Sequence, residues 1–431
     1  MSKETKENEI FGLKGTFIYS VSQNELKIQV GTAICKNGIC QGIFEQLPEQ
    51  YQDILVYNYS DKIIIPGMVD LHIHAPQYQF RTIGMDMELL DWLNTYTFPE
   101  ESRYADHEYA QKAYQLFVDD LQKGATTRAV IFGTMHKDAT MLLMDKLEKS
   151  GLITMAGLVN MDRNCPEYLC DENAETSIEK TIAYVEEARN KYQNTYPVLT
   201  PRFIPTCSDE VMKGLSTLKQ KYHLALQSHL SENLSEIDWV AQLCPKSESY
   251  TDAYDQAGSF DESGKTVMAH CVHLSDKEME LLKRKQVYIA HCPESNINLS
   301  SGIAPVRTFL QKNMHVGIGT DVAAGTSANM LQAVRFAIQA SKMYWRLCDE
   351  TKKPLSVEEA FYLATKGGGS FFGRVGSFEA GYEYDAVVLD DSKILSAKEL
   401  NTKERFERLL YLGDNSNVTA KFVAGRKINC Q

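Results

Sequence analysis

Two histidines spaced by one residue, His72 and His74, end an apolar run, KIIIPGMVDLHIH (62–74). In a strand, positions i and i+2 point to the same side, so both imidazoles can face one ion. Other polar groups close apolar runs far along the chain: His229 with Glu232 three residues on, His270, and Asp321 after Gly317 and Gly319. Five of the ten histidines, counting His291, fall at or near such ends, where random placement would scatter them. His72, His74, His229 and Asp321 make a set of three nitrogen donors and one carboxylate, with room for water. That composition suits one divalent metal, Zn(II) first and Fe(II) second, and is too rich in nitrogen for Mg(II) or Ca(II). An ion held this way lowers the pKa of a water from about 15.7 to about 7, which yields hydroxide near neutral pH.

Groups this distant in sequence need a scaffold that brings strand ends to one rim. Short apolar runs recur at 62–74, 126–134, 152–162, 198–206, 223–232, 266–275, 286–296 and 315–325. They are rich in Val, Ile, Leu and Ala and lack strict polar alternation, as strands buried on both faces do. Helical patterns lie between and after them. Residues 106–122 set Tyr109, Ala113, Leu116, Phe117 and Leu121 on one stripe; 276–285 carry Met279 and Leu282; 328–347 carry Leu331, Val334, Ile338 and Trp345. Eight strands alternating with helices predict an α/β fold, a (β/α)8 TIM-type barrel over 66–373, with its chemistry at the C-terminal strand ends. Residues 9–65 and 374–431 alternate polar and apolar instead. They predict antiparallel strands from both termini meeting in a small β-sandwich domain, 1–65 with 374–431.

The composition, 43% hydrophobic and 24% charged over 431 residues, is that of a globular chain. A net charge of -12 argues against nucleic acid or an anionic membrane as partner and is neutral towards a small substrate. The start, MSKETKENEI, has no apolar segment of a secretory signal, and no apolar run nears the roughly 20 residues of a membrane span. Ten cysteines without a CxxC pair read as free thiols in a reducing, cytoplasmic compartment, with Cys271 and Cys292 as small core residues. Asp145, Lys146, Glu148 and Lys149 read as a solvated helix face, and the glycines at 367–369 as a helix end.

PGMVDLHIH resembles the first-strand signature of the amidohydrolase superfamily. SHLSEN, MAHCVHL, AHCPESN and GTDVAAG resemble its fifth- to eighth-strand motifs, so the likeness spans nearly the whole chain. Among its branches the chain looks most like the guanine deaminase family, on HIHAPQYQF (72–80), WLNTYTFPEE (92–101), TPRFIPTC (200–207), QSHLSEN (227–233) and GTDVAAG (319–325). Two-metal members of the superfamily carry a lysine or glutamate on the fourth strand; here that strand reads VLTPRFIPT, with Arg202, which implies a single metal. The resemblance implies hydrolysis of guanine to xanthine and ammonia, and a homodimer. Asp321 would accept the proton of the attacking water, Glu232 would protonate the ring and then the departing ammonia, and His270 would steady the hydroxide and the tetrahedral intermediate. Gln77, Trp92, Arg202, Phe203, His229 and His270 would contact the base, with Phe98 beside Trp92 as a wall or lid.

Several of these residues admit a second, structural reading. Glu232 suits a helix N-terminus. Arg202 suits a buried ion pair, Gln77 a turn cap, and Trp92 and Phe98 a core. His291 and His273 read as supporting residues at most, and His107, His136, His223 and His315 as structural residues at helix starts or strand beginnings. A related deaminase or chlorohydrolase acting on cytosine, a triazine or an adenosyl thioether would share every metal ligand. A scaffold protein of the same fold would have lost them.

Overall fold

The computed structural model describes residues 10–261 and 265–429; the charged start (residues 1–9) and Cys430 lie outside the described residues. Four long strands come first: β1 (Ile10–Ser22), β2 (Glu25–Lys36), β3 (Ile39–Phe44) and β4 (Leu55–Pro66). One residue, Gly67, separates β4 from β5 (Met68–His74), although the two strands belong to different sheets. The crossing is tight: a Cβ at Gly67 would lie 2.1 Å from Thr127 Oγ1, so only glycine fits.

Strands and helices then alternate. The strands are β6 (Thr126–Phe132), β7 (Ile153–Gly157) with its short continuation β8 (Val159–Asn160), β9 (Thr195–Pro197) with its continuation β10 (Thr200–Pro201), β11 (Leu226–Leu230), β12 (Thr266–His270), β13 (Tyr288–His291) and β14 (His315–Ile318). Seven of them join β5 in one eight-stranded parallel sheet, in the order β11-β12-β13-β14-β5-β6-β7-β9. Its two ends also touch: Leu199 bonds across to the fifth run, its N–H donating to the Ala225 carbonyl (3.0 Å) and its carbonyl accepting from Gln227 N–H (2.9 Å). Val69, Val130, Val267 and Ala290, from β5, β6, β12 and β13, share one buried apolar cluster with Val198, which lies between β9 and β10. The predicted helices run over His107–Lys123, Asp276–Arg284 and Met330–Leu347.

The remaining strands, β15 (Ala386–Leu389), β16 (Val418–Val423) and β17 (Arg426–Ile428), join the first four in one seven-stranded sheet, β17-β16-β15-β4-β1-β2-β3. It has its own core, including Phe11, Phe17, Ile64, Phe378, Val388 and Phe422. The described residues at the two ends thus form a single mixed sheet, with β1 parallel to β4 and its other neighbours antiparallel. Arg128 of β6 ties the two sheets. Its Nε donates to Asp385 (2.7 Å) and its Nη2 to Glu383 (2.7 Å), with Arg128 and Asp385 both buried.

Some local expectations are corrected. The fourth strand starts earlier than VLTPRFIPT, at Thr195, and 204–206 form a 3-10 turn, where Pro205 has no N–H to give a ladder. Leu116 is 46% exposed and off the buried stripe of its helix. Lys146 is buried, its ammonium donating to Gln115 (2.8 Å), and Glu148 accepts from the N–H groups of Gln193, Asn194 and Thr195. Lys149 is exposed as expected, but the rest of that helix face is a packed seam. Cys165 and Cys170 form a disulfide across the turn Glu167–Leu169, with Cα atoms 5.7 Å apart, within reach of such a bridge; the expectation of free thiols throughout fails there. Cys271 and Cys292 are free and buried, as expected.

Candidate active site

The site begins with a bulge. Between Asp70 and Ile73, β5 takes three steps while β6, from Ala129 to Ile131, takes two. The extra residue shifts the alternation of β5. Val69 and Leu71 face the apolar cluster, and beyond the bulge that side passes to His72 and His74. Asp70 fixes the bend. Its carboxylate accepts from the N–H groups of His72 (3.2 Å) and Thr320 (3.0 Å) and from the Thr320 hydroxyl (2.5 Å).

Four side chains converge above it. His74 Nε2 lies 3.2 Å from His72 Nε2 and 3.2 Å from His229 Nε2; Asp321 Oδ1 lies 3.2 Å from His72 Nε2 and 3.5 Å from His74 Nε2. Ligands at about 2.0–2.1 Å around a tetrahedral ion are about 3.3 Å apart, so these spacings fit one shared cation. His229 Nδ1 lies 2.6 Å from the Arg202 carbonyl, which accepts its N–H hydrogen bond and leaves Nε2 as a bare lone pair. The Phe132 ring, at the end of β6, packs against all three imidazoles, 5.1 Å from His72, 4.5 Å from His74 and 4.8 Å from His229.

Asp321 and His270 reach the site from left-handed backbone, φ 50° and 71°, a conformation that turns each side chain off its strand end. Asp321 N–H donates to the His72 carbonyl (2.9 Å), which stitches β14 to β5. A Cβ at Gly319 would stand 2.8 Å from His72 Cβ, so a larger residue there would push the two apart. His270 Nε2 sits 3.4 Å from Glu232 and 3.8 Å from Asp321, while its Nδ1 pairs with Asn296 Oδ1 (2.9 Å).

The charges follow from burial and neighbours. Burial, then His72, hold the imidazoles of His74 and His229 well below the ordinary 6.5, so both are neutral lone-pair donors. Burial alone would raise Asp321, but His72, which also hydrogen-bonds it, and then His270 hold its carboxyl well below the usual range. Burial and the Asp321 charge push Glu232 up to about 8, against one hydrogen bond from Ser301 (3.1 Å). Next to it Glu236 is pushed up to about 7 by burial and by Glu232. Glu236 caps the helix Leu234–Leu243 with Asn233, accepting from the N–H groups of Glu232 (3.0 Å) and Asn233 (3.3 Å). The capping task belongs to those two residues, which leaves Glu232 free to face the cavity.

His74, His229, Glu232, Glu236, His270 and Asp321 line one cavity with Gln77, Trp92, Leu93, Arg202, Phe203, Leu299 and Ala324. Arg202 takes both of its readings. It lines the cavity, and its guanidinium is paired at 2.7 and 3.1 Å with the two oxygens of Glu101. Gln77 makes no turn-capping bond; its Nε2 donates to Glu101 (3.0 Å) and its Oε1 accepts from Ala323 N–H (3.3 Å). Trp92 lines the cavity and Phe98 lies behind Arg202, its ring 5.1 Å from the guanidinium. Phe203 stands edge-on to Trp239, centroids 6.2 Å apart. His291 is buried behind His270, its pKa lowered by burial to about 3, and His273 bonds the Ser301 carbonyl (2.7 Å). His107, His136 and His315 stand at helix or strand starts; His223 instead closes the helix Asp209–Tyr222.

Sequence reasoning missed Asp70, Glu101, Phe132, Glu236 and Asn296 as members of the site. All but Glu236 lie inside runs singled out for other residues, and Glu236 follows the fifth run directly in SENLSEIDW.

The amidohydrolase family model matches residues 63–428. The chain belongs to the amidohydrolase family. Amidohydrolases are metal-dependent, and this chain has the cluster to hold a metal: His72, His74 and Asp321, and likewise His72, His229 and His270, offer ligand atoms within 4.8 Å of one another. The chain is similar to a guanine deaminase from Dictyostelium discoideum, 36% identical over 450 residues, 98% of this chain and 99% of that one. It is 37% identical to a guanine deaminase of Escherichia coli (strain K12) over 93% of this chain and 91% of that one. A crystal structure of guanine deaminase from C. acetobutylicum, with guanine bound in its active site, matches at a TM-score of 0.95 and 44% identity, over 98% of this chain and all of that one. No helix among the described residues is long and apolar enough to cross a membrane.

Proposed function

We propose that this amidohydrolase converts guanine and water to xanthine and ammonia. The observation that carries the reading is the meeting, in one cavity, of three metal-type donors with His72 directly behind them, a carboxyl group protonated near neutral pH, and the hydrogen-bond donors Arg202 and Gln77. His72, His74, His229 and Asp321 would hold one divalent ion, zinc before iron, and that ion when bound supplies a water made acidic enough to attack near neutral pH.

The chain's own residues do the rest. Arg202 and Gln77 direct N–H groups at the oxo edge of the purine, with Phe203 and Trp92 as apolar walls. His229, whose ring also lines the cavity, meets the base from the metal side. Asp321, ionised, takes the proton of the attacking water at its carboxylate. Glu232, protonated, gives its proton to the ring nitrogen beside C2, which relieves the loss of aromaticity. As the new carbonyl forms, Glu232 takes up the proton of the added hydroxyl and gives it to the leaving amino group, so that ammonia departs neutral; the proton held by Asp321 then returns to Glu232. His270, fixed by Asn296, stands between Glu232 and Asp321 and orients the entering oxygen.

The continuity of the parallel sheet through Leu199 and its shared interior cluster support a closed (β/α)8 barrel over 66–373. The separate core of the seven-stranded sheet supports a small β-domain from 1–65 and 374–431, which a fold of that sheet on itself would make a sandwich. Zinc and homodimeric assembly rest on the family likeness and are checked by metal analysis and sedimentation. The test of function is ammonia release from guanine set against cytosine, a triazine and an adenosyl thioether. Turnover of one of those with none of guanine would move the reading to that substrate.

A further inference from the structure

We infer that Glu101, which does not touch the cavity, is the positioning residue that makes its recognition wall accept a 6-oxo purine and turn away a 6-amino one. The inference rests on the reading of the cavity as a guanine site. Glu101 sits on the short helix Phe98–Ser102, 1% exposed. Its carboxylate holds two partners 125 residues apart in sequence, Arg202 through both Nη atoms (2.7 and 3.1 Å) and Gln77 through Nε2 (3.0 Å).

The consequence is one of hydrogen-bond polarity. A side-chain amide can present either its oxygen or its nitrogen, and the two look alike in shape. Here the carboxylate can only accept, so it claims Nε2 of Gln77, and the amide oxygen turns to Ala323 N–H (3.3 Å). One Nε2 hydrogen remains for the cavity. Arg202 spends its inner pair of N–H groups on Glu101 and keeps its outer N–H groups, which are donors only. The wall therefore offers donors. A carbonyl oxygen satisfies it, whereas an amino group would leave donors facing donors in a buried site, the arrangement that discriminates most strongly.

The test uses the metal-loaded protein. For Glu101→Gln we expect the KM for guanine to rise about 10–100-fold with kcat little changed, the signature of lost substrate positioning. The ratio of the inhibition constants of adenine and hypoxanthine should fall about tenfold or more, because the Gln77 amide is free to turn over. Glu101→Asp, which keeps the charge one methylene short, should give intermediate values. Metal content and melting temperature identify a variant that has not folded. Wild-type KM and an unchanged inhibitor ratio in either folded variant overturn the inference. So does wild-type protein that binds 2-aminopurine, which has no 6-oxo group, as tightly as guanine. Wild-type protein that releases no ammonia from guanine would end the proposed reaction instead, and binding of adenine and hypoxanthine by calorimetry would then judge Glu101 separately.

Discussion

His74 and His229 lie 155 residues apart in sequence, yet their Nε2 atoms face each other at 3.2 Å with both rings buried and neutral. Two lone pairs at that distance repel unless a cation or a proton lies between them. Metal removal should therefore destabilise the fold as well as stop turnover. Treatment with chelator should lower the melting temperature, with a stabilisation of about 3–4 kcal/mol regained at saturating Zn(II). An unchanged melt after stripping would count against a shared cation.

Glu232→Gln keeps the shape of the carboxyl and removes its exchangeable proton. We expect metal content to stay at the wild-type level and kcat to fall by about 10²–10⁴. Glu232 is pushed up to about 8, so it carries its proton below that pH and loses it above. The wild-type kcat/KM should fall on the alkaline side, and the positive charge of a bound ion moves that fall to lower pH. A profile flat to pH 9 would remove Glu232 as the acid.

Glu236 links pH to stability. In the unfolded chain it titrates near 4.5, and in the fold it is pushed up to about 7. A carboxyl whose pKa rises on folding stabilises fully below the unfolded value, and that stability is lost as pH rises through the folded value. Urea melts of wild type against Glu236→Gln should diverge between pH 5 and pH 8, with the variant less sensitive to pH. Parallel curves would show that Glu236 does not change its protonation there.

Phe132 supports three imidazoles at once. Phe132→Ala should cost about 3–5 kcal/mol of stability through the cavity it leaves. It should also weaken metal affinity by about 10–100-fold, as loss of a residue that orients ligands does. Competition with a coloured chelator measures the second effect apart from the first.

Arg128→Met leaves the buried carboxylate of Asp385 without its cation. Loss of one partner of a buried pair costs about 3–5 kcal/mol, read by urea unfolding. The pair lies between the two sheets, away from the cavity, so KM should not move.

The histidine pair and Asp321 were legible because strand period and strand ends are local patterns. Glu101 was not, since its meaning is its contact with Arg202 across 101 residues. The bulge in β5 was hidden for another reason. A period-two reading gives the right partner for His72 but takes no account of the extra residue that decides which side the pair faces. Arg202 showed both its readings in the sequence, and only the fold could join them. The fourth strand was misjudged because prolines sit inside an otherwise apolar run, and the seam of Lys146 and Glu148 because charge alone does not reveal what a neighbouring element covers.

The seven-stranded sheet has an implication for how the molecule is made. β4 is paired with β1 on one edge, but its other edge is filled by β15, which the ribosome delivers only after every strand and helix of the parallel sheet. At about 5–20 residues per second, the first strands wait on the order of tens of seconds with an open, apolar edge. Translation that stops short of Ala386 would release a chain with its metal ligands complete and its first sheet unfinished, a natural client for a chaperone that shields strand edges.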